Sequence, residues 1–350
     1  MRACLRDRRL GRNFRHVGSE AEFAAAEPLD PRRQAFWDTE RWSLLWLEPP
    51  EHTRIRKLVA AAFTPRSVDA LRGPSAELAH DLLPDGAFDL LRDFAQPYSI
   101  AVICRLLGVP TDRAPELLDW SHAMVKMYEL DTTDRQAEAA TLAAAEFRDY
   151  VVSLAEQRRR EPRDDLVTRL VETGLTDPEL VSTIVVLLNA GHEATVNTLG
   201  NGVLALLRHP EQWQRLVTAE VEPAVAVEEL IRWDPPLQLF ERWVLEDGVE
   251  LAGEPVPPGA KVALLFGSAN RDPRVFADPD AFDVGRANAA EHIGFGGGIH
   301  VCIGAPLARI ELEAALRALV ERAPGLTLAA EPARNLAFVI WGLSGLLVER

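Results

Sequence analysis

A chain of 350 residues with 47% hydrophobic and 26% charged residues has the profile of a globular protein with a large core. Its formal charge of −15 argues against nucleic acid and anionic membrane as partners, and no apolar run reaches the ~18 residues of a membrane span. Three scattered cysteines, Cys4, Cys104 and Cys302, form neither a disulfide framework nor a CxxC zinc site, and they fit a reducing cytoplasm.

Along the chain the pattern predicts a mainly α protein with a minor β part. No linker-like stretch divides it, so residues 1–350 read as a single domain. Aromatic residues crowd the first segment: Phe14, Phe23, Phe36, Trp37, Trp42 and Trp46. Residues 51–62 read as a short helix halted before Pro65, with His52 and Arg56 four apart and projecting together. Residues 90–107 carry apolar positions at helical spacing and end at Gly108, with Pro110 beyond. Residues 114–128 and 134–160 form a further helical pair.

Residues 177–208 hold an apolar pattern too long for an average helix. Thr176 is placed to cap it and Pro178 suits its first turn. In its middle lies Ala190-Gly191-His192-Glu193-Ala194-Thr195-Val196-Asn197. A polar, glycine-containing patch costs helix stability there and invites a functional explanation. His192-Glu193 opens an HExxH zinc pattern, but Val196 occupies the second histidine position, so the linear motif fails.

Glu229 and Arg232 lie three apart on one face of a helix over 224–233. Trp233-Asp234-Pro235-Pro236 marks a change of character. After it, residues 237–266 read as short strands broken by Gly248, Gly253 and Pro257-Pro258-Gly259. A helix over 305–319 follows, and residues 326–348 read as short strands.

The run Phe295-Gly296-Gly297-Gly298-Ile299-His300-Val301-Cys302-Ile303-Gly304 carries the strongest functional signal. Its glycines let backbone approach a flat ligand closely. A helix N-terminus just after the sulfur is expected to lower the thiol pKa and favour the anionic ligand form. A single axial thiolate is how iron is held in haem when the chemistry is O–O cleavage. Two plainer readings are a phosphate cradle and a buried inert thiol. Neither G-x-x-x-x-G-K-[ST] nor a G-x-G-x-x-G after a strand is present to support the first.

On this run the chain resembles the soluble bacterial cytochromes P450, and the likeness extends over nearly its whole length. The resemblance implies a single-domain fold of triangular-prism shape holding haem b, with Cys302 as the axial thiolate and Gly304 and Phe295 beside it. His52, Arg56, Arg242 and His300 fall at the family's propionate-binding positions. Glu229 and Arg232 match the structural ExxR pair, expected to be buried and joined to the loop 282–286. Ala190, Gly191 and Glu193 match the distal helix, where a groove for O2 lies beside an acid that supports proton delivery. The alcohol position is Ala194, a departure. Thr195 lies about 100° further round the helix and does not simply replace it. A substrate hydroxyl or an ordered water is then expected to complete the relay.

The implied activity is hydroxylation of an apolar small-molecule C–H bond. Electrons come from a ferredoxin-type donor with its reductase, since no flavin or nicotinamide fingerprint is visible. A peroxide-driven peroxygenase and a non-catalytic haem sensor are the other readings. Met124, Met127, Tyr128, residues 237–240 and residues 339–341, with the early aromatics, match regions that line the family's substrate cavity. Arg54, Lys57 and Arg309 are expected to receive an acidic donor. Residues 2–10 resemble the helix before the aromatic loop. The helix and strands that usually precede it in the family are missing; the resemblance implies either a strand layer shortened at the N-terminus or a sequence without its native beginning.

Overall fold

A computed structural model describes residues 1–14, 18 and 30–350; Phe23 lies outside them. Helices dominate: α1 (Arg2–Arg6), α2 (Gln34–Glu40), α3 (Glu51–Ala62), α4 (Pro65–Asp69), α5 (Arg72–Leu82), α6 (Gln96–Leu107), α7 (Ala114–Val125), α8 (Asp134–Arg160), α9 (Leu166–Val171), α10 (Asp177–Arg208), α11 (Pro210–Val217), α12 (Pro223–Trp233), α13 (Phe266–Ala269) and α14 (Ala305–Arg322). The described strands are short: β1 (Leu10–Gly11), β2 (Ala87–Asp89), β3 (Leu239–Val244), β4 (Val249–Leu251), β5 (Glu254–Val256), β6 (Lys261–Leu265), β7 (Thr327–Leu328) and β8 (Leu347–Glu349). They pair antiparallel in the orders β1-β3-β6, β2-β8-β7 and β4-β5.

Helix α10 is the axis of the molecule. Its start is fixed locally: Asp177 and Pro178 open the first turn, and the Glu179 carboxylate accepts the Thr176 N–H at 2.9 Å. Every residue from 179 to 189 is buried, as is every residue from 195 to 206. Helices α2, α6, α7, α8, α11, α12 and α14 all pack on it. Each fully buried leucine or valine contributes about 1.5–3 kcal/mol relative to exposure, so the helix is held by its surroundings rather than by propensity. No helix of the described residues is long and apolar enough to cross a membrane.

The structure corrects several boundaries, and the helix expected over 305–319 runs on to Arg322. The stretch 90–107 divides into a π-helical turn, Leu90–Ala95, and α6. Pro97 has no N–H to offer the preceding turn, which the wider winding accommodates. The stretch 114–128 ends as an α-helix at Val125 and finishes in a 3₁₀ turn, Lys126–Tyr128. The expected helix over 2–10 stops at Arg6, and Leu10–Gly11 instead pair with Val244 and Trp243 of β3.

Candidate functional site

The loop after the 3₁₀ turn Ala289–Glu291 is closed by its own backbone. Cys302 N–H donates to the Phe295 carbonyl at 2.9 Å, and Gly296 N–H to that of Ile293 at 2.8 Å. Gly296 and Gly298 have φ of 71° and 66°, the left-handed region where a side chain is strained. At Gly298 the need is also steric, because an added Cβ would lie 2.0 Å from the Leu5 carbonyl oxygen of α1. Helix α1 thus braces the loop from outside.

Cys302 is exposed, whereas Cys104 is buried and Cys4 is intermediate. Exposure and desolvation point in opposite directions at this sulfur: protein atoms still crowd it, and that crowding pushes the thiol pKa up. The backbone amides of Gly304 and Ala305, and the charges of Arg56 and Arg309, act the other way. The expected net lowering of the thiol pKa is therefore not what the protein alone produces, since burial outweighs the helix N-terminus. Phe295 is half-buried beside this loop, 5.5 Å from the His292 ring and under the Arg309 guanidinium at 4.6 Å.

Four of the expected cationic or polar residues converge beside the loop. His52 is 1% exposed, its ring lies 4.5 Å from that of His300, and its Nε2 has no hydrogen-bond partner. Burial pushes its pKa down to about 4, with the charges of His300 and Arg56 adding to the effect. Arg56 donates to the Val301 carbonyl at 2.5 Å. Arg242, on β3, is 2% exposed and donates to the Glu241 carbonyl at 3.0 Å. Burial lowers its pKa to about 10, a sign of a guanidinium short of counter-charge. His300 Nε2 lies 3.0 Å from Glu48 Oε1, which also accepts the Arg12 N–H at 2.7 Å. Glu48 was not singled out from the sequence; the available signal was an acid directly before Pro49-Pro50, at the entry to the helix bearing His52.

On α12, Glu229 and Arg232 are both fully buried and doubly bonded, at 2.6 and 2.8 Å. The Asp283 N–H donates to Glu229 Oε1 at 3.0 Å, and Arg286 lies 3.3 Å from its Oε2. Arg232 also donates to the carbonyls of Asn270, Pro279 and Ala281, so the pair fastens the segment leading to the cysteine loop.

At the middle of α10, Ala190 and Ala194 are exposed, one turn apart, on a helix otherwise largely buried. Gly191 is half-buried and touches Ile103: a Cβ there would meet it at 2.9 Å. Thr195 is 3% exposed, and its hydroxyl donates to the Gly191 carbonyl at 3.1 Å. It is therefore turned away from the alanine face and already committed. Glu193 points to α7, where His122 Nε2 lies 3.3 Å from its Oε1.

The early aromatics pack on one another. Phe36 and Trp37 are 5.2 Å apart, Trp37 and Trp46 6.1 Å, and Trp46 and Tyr128 6.3 Å. Inside this cluster sits Glu40, 1% exposed, a residue the sequence reading missed. Trp46 donates to its Oε2 at 3.1 Å, while Oε1 has no partner. Phe14 packs edge-on against Trp243 at 4.9 Å. Met124 is fully buried, with the Asn189 amide 3.7 Å from its sulfur. Of the expected docking cations, Arg309 is paired with Glu228 at 2.5 and 3.0 Å and Arg54 with Glu179, while Lys57 is exposed.

A family model for cytochrome P450 matches residues 111–226 and 223–323. The polyketide biosynthesis cytochrome P450 PksS of Bacillus subtilis is 37% identical, over 94% of this chain and 81% of that protein. The 6-deoxyerythronolide B hydroxylase of Saccharopolyspora erythraea is 38% identical, over 93% and 81%. The crystal structure of P450BioI, in complex with an acyl carrier protein ligated to hexadec-9Z-enoic acid, superposes with a TM-score of 0.92 at 32% identity. It covers 100% of this chain and 89% of that one.

Proposed function

The chain belongs to the cytochrome P450 family, the haem-thiolate monooxygenases, and on that premise we propose that Cys302 is its iron ligand and that it hydroxylates an apolar C–H bond of a polyketide or fatty-acyl molecule. The names of its relatives support that substrate class. The observation that carries the ligand assignment is the environment of Cys302: the exposed cysteine, in a loop that must be glycine, with two amides and two guanidinium groups acting on its sulfur.

Bound haem supplies the iron at which O2 is activated. The residues present suit that group. His52 Nε2 is unpartnered, and the pKa of the buried Arg242 stays low even with the Glu48 carboxylate acting on it, so both have capacity for a further anion, and haem brings two carboxylates. His52, Arg56, Arg242 and His300 would hold these, with Glu48 fixing the His300 ring. Phe295 would pack on the thiolate side, next to Gly304. A metal-bound thiol is deprotonated outright, which overcomes the burial that otherwise raises the Cys302 pKa.

On the distal side, Ala190 and Gly191 keep the helix surface small for O2, and Glu193 supplies protons. Ala194 offers no hydroxyl and that of Thr195 is engaged, so a substrate hydroxyl or an ordered water near Ala194 completes the relay. The Glu229–Arg232 pair holds the cysteine loop in position. Electrons come from a ferredoxin with its reductase, in the cytoplasm, docking near Lys57 and the partly exposed Arg54 and Arg309.

The test is to reduce the purified holoenzyme and add carbon monoxide. A red-shifted Soret band that is lost in Cys302→Ser is expected; its absence from the pigmented wild type refutes the ligand assignment. Turnover with a ferredoxin system, compared with turnover on hydrogen peroxide alone, decides against a peroxygenase, the reading that Ala194 favours.

A further inference from the structure

Among the described residues, one group of ligating side chains lies outside the cysteine loop. His122 on α7, and His192 and Glu193 on α10, each place a ligand atom within 4.8 Å of the other two. His122 Nε2 is 3.3 Å and His192 Nε2 is 3.7 Å from Glu193 Oε1. The edge of a tetrahedron with metal–ligand bonds near 2.05 Å is about 3.4 Å, so the two histidine–carboxylate separations already suit one shared ion, and the two imidazoles stand within 4.8 Å of each other.

Two further observations point to a ligand. His192 is fully buried, yet its Nε2 has no hydrogen-bond partner, and neither does Glu193 Oε1. Buried polar atoms are rarely left so. The other side of the His192 ring is held, with Ser121 Oγ 3.5 Å from Nδ1 and the Leu188 backbone as a hydrogen-bond partner. That is how a ligating imidazole is oriented with its Nε2 lone pair directed at a metal. Asn197 Nδ2 lies 3.5 Å from Glu193 Oε2, leaving Oε1 to turn inward. His122 is the outer ligand, with a side chain 40% exposed, so solvent has an entry path and can fill a fourth position.

We propose that His122, His192 and Glu193 form a binding site for one divalent cation of the zinc class, bridging α7 and α10. Two imidazoles and a carboxylate with an open position suit zinc over calcium or magnesium. The second imidazole that the HExxH pattern lacks in the linear sequence is supplied in space by His122, 70 positions before His192. An ion here occupies the Glu193 oxygen that faces His122 and ties the two helices together. It therefore withdraws Glu193 from proton delivery and inhibits turnover. That consequence rests on the reading of Glu193 as the distal acid; the binding does not.

The experiment is equilibrium dialysis of the holoenzyme against zinc chloride with metal analysis, and zinc K-edge absorption on the loaded protein. One zinc per chain with two imidazole ligands is expected. Binding should weaken roughly tenfold or more in His122→Ala and in Glu193→Gln, and should be unchanged in His80→Ala, an exposed histidine on α5. Both test positions are partly exposed, so folding is checked by the Soret band. Unaltered affinity in His122→Ala, or a spectrum without imidazole, overturns the site. If zinc binds through His122 and electron-driven turnover is unaffected, the site stands and the proton role of Glu193 falls.

Discussion

Glu229 and Arg232 face each other with two hydrogen bonds, 2.6 and 2.8 Å, and neither side chain reaches solvent. Removing one partner leaves the other buried and charged, at a cost of about 3–5 kcal/mol. Because Glu229 also accepts the Asp283 N–H, the damage reaches the segment before the cysteine loop. Glu229→Ala is expected to yield protein without haem, read as the ratio of Soret to protein absorbance. Full haem incorporation would refute its role in holding the loop.

Arg242 separates cofactor binding from folding. Its guanidinium is buried and its pKa is pulled down to about 10 by desolvation, so in the apoprotein it is a strained group. Arg242→Met keeps the volume and removes the charge. Apoprotein stability in a urea titration should hold or rise, while haem transfer to apomyoglobin should speed up severalfold. Loss of apoprotein stability with unchanged haem retention would show that Arg242 is structural only.

Glu40 gives a pH signature. Burial in the aromatic cluster raises its pKa to about 7, against the opposing hydrogen bond from Trp46 and the nearby hydroxyls of Tyr128 and Ser43. The unfolded chain ionises near 4.5. This group therefore costs nothing below pH ~4.5, removes stability between pH ~4.5 and ~7, and adds no further dependence above that. Glu40→Gln, which still accepts from Trp46, should raise the melting temperature by a few degrees at pH 8 and change it little at pH 4.5. Equal shifts at both values would place the carboxyl in water.

Ala194→Thr restores an alcohol on the face that Thr195 does not reach. With a substrate lacking a nearby hydroxyl, found by its spin-state change, the variant should release less hydrogen peroxide per electron pair consumed. Unchanged coupling would end the relay argument at this position.

Much of the chemistry is local and therefore legible in the sequence. The glycine-enclosed Cys302, the i,i+3 pair Glu229–Arg232, the i,i+4 pair His52–Arg56 and the bounds of α3, α8 and α10 follow from spacing, capping and periodicity, which act within a few residues. Tertiary packing decided the rest. Glu48 meets His300 across 252 positions, the Glu40 pKa rises only because α2 packs its aromatics around it, and His122 joins His192 and Glu193 only because α7 lies against α10. Local spacing fixes which side of a helix a residue occupies. What stands opposite it, and how dry that place is, depends on which helices pack together, and no single stretch of chain encodes that.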